Sequence, residues 1–177
     1  MINGLKTDKR ILLIVAFDKF RDEEYDIPKK IFEQAGINVT TASSKIGTAT
    51  GKLGMKVKTD ITLDQVKVGD YDAILFIGGP GSYDYYNDPE AHRIAREAVK
   101  ENKLLGAICA APGILANAGV LKGKKATMFE DTGVLKQFGA TYTGKGVEID
   151  GNIITATGPQ TAKAWGETIL KELSGKH

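Results

Sequence analysis

The sequence LLGAICAAPGILANAG, residues 104–119, contains an abrupt change from an apolar run to a helix rich in small residues. Cys109, the only cysteine in the chain, lies at the corner between them. A strand, one nucleophilic residue and then a helix of small residues is the layout of a nucleophile elbow, in which a tight turn raises the side chain out of the sheet. Pro112 fits the first turn of that helix, where its missing N–H is not needed. The pattern is that of a reactive thiol, and a structural cysteine is the alternative.

Two interpretations of Cys109 remain open from this stretch alone. A buried free cysteine behaves as a small hydrophobic residue, and Cys109 is then purely structural. A thiol at the start of a helix instead lies near the positive end of the helix dipole, which lowers its pKa and favours the thiolate. On the second interpretation we expect the pKa of Cys109 to lie below its ordinary value of about 8.5.

Apolar β-branched runs alternate with segments of helical periodicity along the rest of the chain. Strands are predicted at 10–17, 37–43, 71–79, 103–108 and 124–129, hairpins at 51–60 and 146–157, and helices at 21–36, 88–102, 111–119, 131–139 and 158–175. Alternation of this kind is typical of an α/β protein with a mostly parallel sheet and helices on both faces. Ligands bind such sheets beyond the carboxyl ends of the strands, so the residues that follow each strand are candidates for a site. They include Phe129 after the strand at 124–129.

The glycines of FIGGPGSYD, residues 76–84, directly follow a predicted core strand. Gly78, Gly79 and Gly81 allow backbone N–H groups to turn toward a ligand and form an anion-binding nest. The stretch is not a dinucleotide fingerprint, because Asp84 stands where the third glycine of that motif would be. A tight turn without a ligand is the alternative.

An acidic motif, FRDEEYDIP at residues 20–28, opens the first predicted helix. Acidic residues in a first turn stabilise the helix dipole and often remain solvated. Pro28 has no N–H to donate to the carbonyl of Glu24, which predicts an irregular turn where Glu24 lies. An irregular turn at the ligand-binding edge is able to aim the Glu24 carboxyl inward.

The overall composition excludes several classes of protein. The chain has 177 residues and a formal net charge of +2, which gives no strong attraction to nucleic acid or to a membrane surface. One cysteine and two histidines are too few for an ordinary zinc site, and no motif indicates a cofactor. The polar start MINGLKTDKR lacks the apolar segment of a secretory signal. We expect one domain over residues 1–177, a cytoplasmic location, and no metal or cofactor.

Taken together, AICAAP (107–112), IGGPG (77–81) and FRDEEYDIP (20–28) resemble the ThiJ/PfpI superfamily, also called the DJ-1/PfpI family. The resemblance extends through LKGKKAT (121–127), DGNIITATGP (150–159) and the closing helix. It implies a flavodoxin-like three-layer sandwich, related to the fold of class I glutamine amidotransferases, with the cysteine on a strained elbow. It also implies a homodimer or a larger homo-oligomer.

The resemblance assigns roles to particular residues. Cys109 matches the family's reactive cysteine, and Glu24 matches the acid that hydrogen-bonds to it. The backbone N–H groups of Gly79 and Ala110 match the pair that forms an oxyanion hole. A loop bordering the pocket matches Gly158 and Pro159.

The chain departs from this family at two positions where the family has a histidine. Ala110 replaces the histidine that follows the cysteine in the PfpI branch, and Phe129 occupies the place of a histidine in the DJ-1 branch. His92 falls on the surface of an amphipathic helix, and His177 is the last residue. The sequence therefore offers no evident Cys–His pair, which disfavours a PfpI-type cysteine peptidase.

Three hypotheses of function follow. The first is a cysteine-dependent enzyme that acts on small reactive carbonyls without glutathione, converting methylglyoxal to lactate or deglycating proteins, with Glu24 as a proton shuttle. The second is a redox-sensing or stress-protective protein with an oxidisable Cys109. The third is a chaperone-like or structural relative with a vestigial site.

Overall fold

The central element of the computed structural model, which describes residues 7–175, is a seven-stranded sheet. The strands are β1 (Arg10–Ile14), β2 (Asp18–Phe20), β3 (Asn38–Ser43), β4 (Thr48–Gly51), β5 (Lys56–Lys58), β6 (Ile61–Thr62), β7 (Ala73–Phe76), β8 (Leu104–Ile108), β9 (Lys125–Ala126), β10 (Thr141–Tyr142), β11 (Val147–Asp150) and β12 (Ile153–Ala156). The main sheet has the order β11-β12-β8-β7-β1-β3-β6. Every pair in it is parallel except β11 with β12. The predicted fold class, an α/β protein with a mostly parallel sheet, is confirmed.

Helices cover both faces of this sheet. They are α1 (Asp22–Gln34), α2 (Pro89–Lys100), α3 (Pro112–Asn117), α4 (Val134–Gln137) and α5 (Ala162–Ser174). Alternation along β1 explains the two layers, because Ile11 and Leu13 point into one core and Leu12 and Ile14 into the other. The first core is closed by α1 and α5, and the second by α2 and α3. Burial on both faces accounts for the continuous apolar strands.

Local signals for helix ends agree with the structure. The Asp88 side chain caps α2 by accepting hydrogen bonds from the N–H groups of Glu90 and Ala91, at 2.8 and 3.0 Å. Helix α1 runs unbroken through Pro28, so the predicted irregular turn is wrong. Within the described residues, no helix is long and apolar enough to cross a bilayer.

Two small sheets lie outside the main one, and the sequence patterns did not separate them. The hairpin expected at 51–60 begins earlier, as β4 and β5, and pairs with β2 in a three-stranded sheet. The strand expected at 124–129 shortens to β9, which pairs with β10 in a two-stranded sheet. Both small sheets carry loops to the carboxyl ends of β7 and β8, where the predicted site lies.

Candidate active site

Cys109 follows β8 directly and has a φ of 66°, in the left-handed region that a residue with a side chain rarely adopts. Hydrogen bonds from two neighbouring segments hold it there. Its N–H donates to the carbonyl of Ala156 at 3.0 Å, and its own carbonyl accepts from the N–H of Phe129 at 2.9 Å. The expected backbone strain at the elbow is therefore confirmed. Strain of this kind persists only where the surrounding structure fixes it, and it is common at functional sites.

The glycine loop after β7 packs directly against this elbow. A Cβ at Gly78 would lie 2.5 Å from the carbonyl oxygen of Ile108, 2.6 Å from Glu24 Oε1 and 2.7 Å from the Cβ of Cys109. Only glycine fits there. Because Glu24 Oε1 and the Cβ of Cys109 both lie so close to that point, they must also lie within a few ångströms of each other. Gly79 has a φ of 107°, which also favours glycine. The N–H groups of Gly79 and Ala110 both hydrogen-bond to the Cys109 side chain.

Glu24 is fully buried in the first turn of α1. Its Oε1 accepts a hydrogen bond from the N–H of Gly78 at 3.0 Å. Its Oε2 has no hydrogen-bond partner within the described residues. The Cys109 thiol is the neighbouring side chain whose interaction lowers the pKa of the carboxyl. The start of α1 is fixed to the same loop, because the N–H of Arg21 donates to the carbonyl of Gly78 at 2.9 Å. The structure thus brings Glu24 and Cys109 together, as the resemblance implies.

Burial dominates the electrostatics of this pair. Loss of solvation raises the pKa of Glu24 to about 7, although hydrogen bonds from Cys109 and Gly78 oppose the rise. Burial, followed by the negative charge of Glu24, raises the pKa of Cys109 to about 12. The expectation of a depressed thiol pKa is therefore wrong. The N–H groups of Gly79 and Ala110 do lower this pKa, but α3 is a short helix that begins only at Pro112, and burial outweighs them. Burial thus favours the neutral form of both groups, and Glu24, whose pKa is the lower of the two, is the group able to accept a proton from the thiol.

A cavity of about 260 Å³ opens above the thiol. Its lining residues are Arg21, Lys52, Gly79, Pro80, Tyr83, Cys109, Ala110 and Phe129. The guanidinium of Arg21 forms a bidentate ion pair with the carboxylate of Glu23, at 2.9 and 3.2 Å. That ion pair holds the pKa of Glu23 below its usual range, the opposite of the effect at Glu24 next to it.

Four polar residues of the site have no role assigned from the sequence. Arg21 and Tyr83 lie inside the acidic and glycine motifs, so their position beside the functional residues was the available signal. The hydroxyl of Tyr86 donates to the carbonyl of Ala110 at 2.7 Å, just after the elbow. Lys52 lies in the turn between β4 and β5, and no pattern in the sequence connects that turn with Cys109.

Four residues predicted for the pocket do not line this cavity. Gly81 is buried away from the cavity. It packs so closely against the backbone of Asp18 that a Cβ there would overlap the Asp18 carbonyl oxygen. Gly158 and Pro159 form the turn before α5, where the N–H of Gly158 donates to the Thr161 hydroxyl at 3.1 Å. Gly78 lies behind the cavity wall, between Glu24 and Cys109.

The described part of the chain brings no histidine to the cavity. His92 Nε2 forms a hydrogen bond with the carbonyl of Tyr86 at 2.7 Å, and His92 is not a lining residue. His177 lies outside the described residues. Within residues 7–175, no three His, Cys, Asp or Glu side chains cluster closely enough to hold a metal ion.

A cysteine on a strained turn after a central parallel strand, facing a buried carboxyl and two backbone N–H groups, defines an α/β protein of the nucleophile-elbow class. The model of the DJ-1/PfpI family matches residues 9–172. The chain therefore belongs to the DJ-1/PfpI family.

Individual relatives agree with this assignment. The chain is 33% identical to Deglycase PfpI of Pyrococcus furiosus over 165 residues, which is 92% of this chain and 98% of that protein. A ThiJ/PfpI domain protein from Brachyspira murdochii superposes with a TM-score of 0.93 at 32% identity, covering 98% of this chain and 100% of that one. Drosophila melanogaster DJ-1beta gives a TM-score of 0.85 at 32% identity, covering 96% and 92%.

Proposed function

We propose that this protein is a cysteine-dependent enzyme that converts small 2-oxoaldehydes to 2-hydroxy acids without glutathione, for example methylglyoxal to lactate. The observation that carries the proposal is the contact between Cys109 and a buried Glu24 whose pKa is raised to about 7, at the base of a small cavity. A base is most effective when its pKa lies near the working pH. The deglycase name of the Pyrococcus relative supports a carbonyl substrate.

The first step is addition of sulfur to the aldehyde carbon. The Glu24 carboxylate accepts the thiol proton as the carbon–sulfur bond forms, so no resting thiolate is needed. The N–H groups of Gly79 and Ala110 already point at the sulfur and stabilise the oxyanion that develops on the neighbouring carbon. Glu24 then returns the proton to that oxygen and gives a hemithioacetal.

The second step moves hydrogen within the bound substrate. Glu24 removes the proton from the former aldehyde carbon and returns it to the adjacent carbon through an enediol, which leaves a 2-hydroxy thioester on Cys109. Water hydrolyses the thioester and restores the thiol. One methylglyoxal and one water give one lactic acid, and no oxidant or reductant is consumed.

The other hypotheses have less support. Redox sensing depends on a thiol of low pKa, and the pKa of Cys109 is raised. Peptide hydrolysis needs an acid for the leaving amine, and the described residues place no histidine beside the cysteine.

The test is lactate formation from methylglyoxal in the absence of glutathione. Cys109→Ala removes the nucleophile, and we expect it to lower turnover at least about a thousandfold. Glu24→Gln keeps a hydrogen-bond donor beside the sulfur but cannot carry a proton, and we expect a similar loss. Glu23→Gln is the matched control, because it changes the neighbouring carboxylate, which faces Arg21 instead of the thiol. Normal turnover by Glu24→Gln would overturn the assigned role of Glu24.

A further inference from the structure

The entrance to the cavity carries a cation, Lys52, that no group among the described residues neutralises. Within residues 7–175, the ammonium of Lys52 has neither a carboxylate partner nor a hydrogen bond, although Lys52 lines the cavity beside Cys109. The other lining cation, Arg21, is paired with Glu23. Glu130 acts electrostatically on the Tyr83 hydroxyl but is not a lining residue. The wall of the cavity therefore has an excess of positive charge at Lys52.

The backbone of Lys52 is held firmly in place. Its N–H donates to the carbonyl of Phe20 at 2.8 Å. On the other side, the Asp22 carboxylate accepts from the N–H groups of Leu53 and Met55, both at 2.9 Å. The turn that carries Lys52 is thus fixed to the end of β2 and to the first turn of α1, the helix that supplies Glu24. An exposed side chain on a fixed backbone keeps its charge near the entrance.

The remaining lining groups suit a short anionic molecule. Burial raises the pKa of Tyr83, so its phenol remains a hydrogen-bond donor. Pro80 and Phe129 provide apolar contact for a carbon chain. At about 260 Å³ the cavity is smaller than those that enclose drug-sized ligands. A neutral dicarbonyl would make no use of the charge on Lys52.

From these features we infer that the site prefers 2-oxoaldehydes that carry an anionic group, a carboxylate or a phosphate, a few bonds from the reacting aldehyde, and that Lys52 determines this preference. The reaction itself rests on the proposed function. The preference for negative charge does not, because it concerns any electrophile that approaches Cys109.

Alkylation of Cys109 tests the preference without any turnover. Iodoacetate and iodoacetamide are nearly the same size and differ in charge, so the ratio of their rates, normalised to that of N-acetylcysteine, measures the attraction of an anion. We expect Lys52→Met to lower this ratio roughly fivefold, the size of effect for a partly solvated charge. Lys52→Arg should retain it, and so should Lys58→Met, which removes an exposed lysine of the same hairpin outside the cavity. Salt should erase the difference, because the Debye length falls to about 3 Å at about 1 M.

A matched pair of substrates then tests the reaction. The probes are 4,5-dioxopentanoate, which would give 2-hydroxyglutarate, and the neutral 2-oxopentanal, which would give 2-hydroxypentanoate. We expect Lys52→Met to lower the ratio of kcat/KM for the anion to that for the neutral aldehyde roughly fivefold, and Lys58→Met to leave that ratio unchanged. An alkylation ratio equal in wild type, Lys52→Met and Lys58→Met overturns the inference, even if both aldehydes are turned over. If the enzyme turns over neither aldehyde, the proposed function is refuted. The alkylation ratio then still decides whether the site prefers an anion.

Discussion

The two ends of the main sheet carry cavities of very different character. At the amino end, before β1, β3 and β7, lies the larger cavity, about 490 Å³, lined by residues that include Lys9, Ile37 and Asp72. At the carboxyl end, the cavity above Cys109 has about half that volume. The smaller one alone combines a residue in left-handed conformation with an adjoining buried carboxyl. Volume is therefore a poor guide to chemistry in this fold, and strain together with buried charge is a better one.

The largest difference between the two ends should come from adding one methyl group to a glycine. We expect Gly78→Ala to destabilise the protein by about 3 kcal/mol and to lower turnover about a hundredfold, because Cβ would be forced against the Ile108 carbonyl oxygen and the Cys109 side chain. Gly69→Ala, before β7 at the amino end, is the control, since its Cβ would meet only Glu101 Oε1 at 3.4 Å. Urea denaturation and methylglyoxal kinetics measure both effects. Equal destabilisation by the two substitutions would remove the contrast between the ends.

A second contrast concerns how the free energy of unfolding depends on pH through the buried carboxyl of Glu24. The pKa of Glu24 is raised from 4.5 to about 7 in the folded protein, so between those values the folded state binds more protons than the unfolded state. Stability from this group is present below about pH 4.5 and is lost as the pH rises to about 7, by about 3 kcal/mol in all. Glu24→Gln cannot ionise, and its stability relative to wild type should therefore increase by about 3 kcal/mol over this range. Urea denaturation at several pH values measures the difference, and a difference that does not change with pH would contradict the raised pKa.

The smallest effect is expected on the pH dependence of turnover, when the charge of Glu23 beside the cavity is removed. The negative charge of Glu23 raises the pKa of Glu24, and Glu23 also neutralises Arg21, whose positive charge lowers it. Glu23→Gln should therefore move the rise of kcat/KM with pH, which reports the Glu24 carboxylate, to lower pH by less than about half a unit. Asp72→Asn removes an equal charge at the amino end and should leave the midpoint unchanged. A shift toward higher pH after Glu23→Gln would mean that another group controls the profile.

The parts of the fold that follow from local rules could be predicted from sequence. Both-face burial makes β7 and β8 continuous apolar runs, and the capping side chain of Asp88 marks the start of α2. The two small sheets could not be predicted in detail, because β2 and β9 are very short and are stabilised by partners distant in sequence. Their pairing depends on the tertiary structure, and two- or three-residue strands leave no periodicity to detect.

The same division applies to the site. Cys109, Glu24 and Gly79 stand at the ends or starts of predicted elements, where their residue types indicate a function. Lys52 and Tyr86 reach the site only through folding, and no spacing connects them to the cysteine. The pKa of Cys109 was predicted in the wrong direction, since the helix that follows it is visible in the sequence but the burial that outweighs that helix is not.

The two hydrogen bonds that hold the Cys109 backbone can form only after later parts of the chain have been synthesised. Both partners, the N–H of Phe129 and the carbonyl of Ala156, lie farther along the chain and leave the ribosome after the cysteine. Until those segments are synthesised, the thiol is an ordinary solvated one with a pKa of about 8.5, below the raised pKa of Cys109 in the folded protein. Folding therefore lowers the thiolate fraction of Cys109 while it builds the site, and a thiolate is the form that oxidises, so the unfolded chain carries the more reactive sulfur.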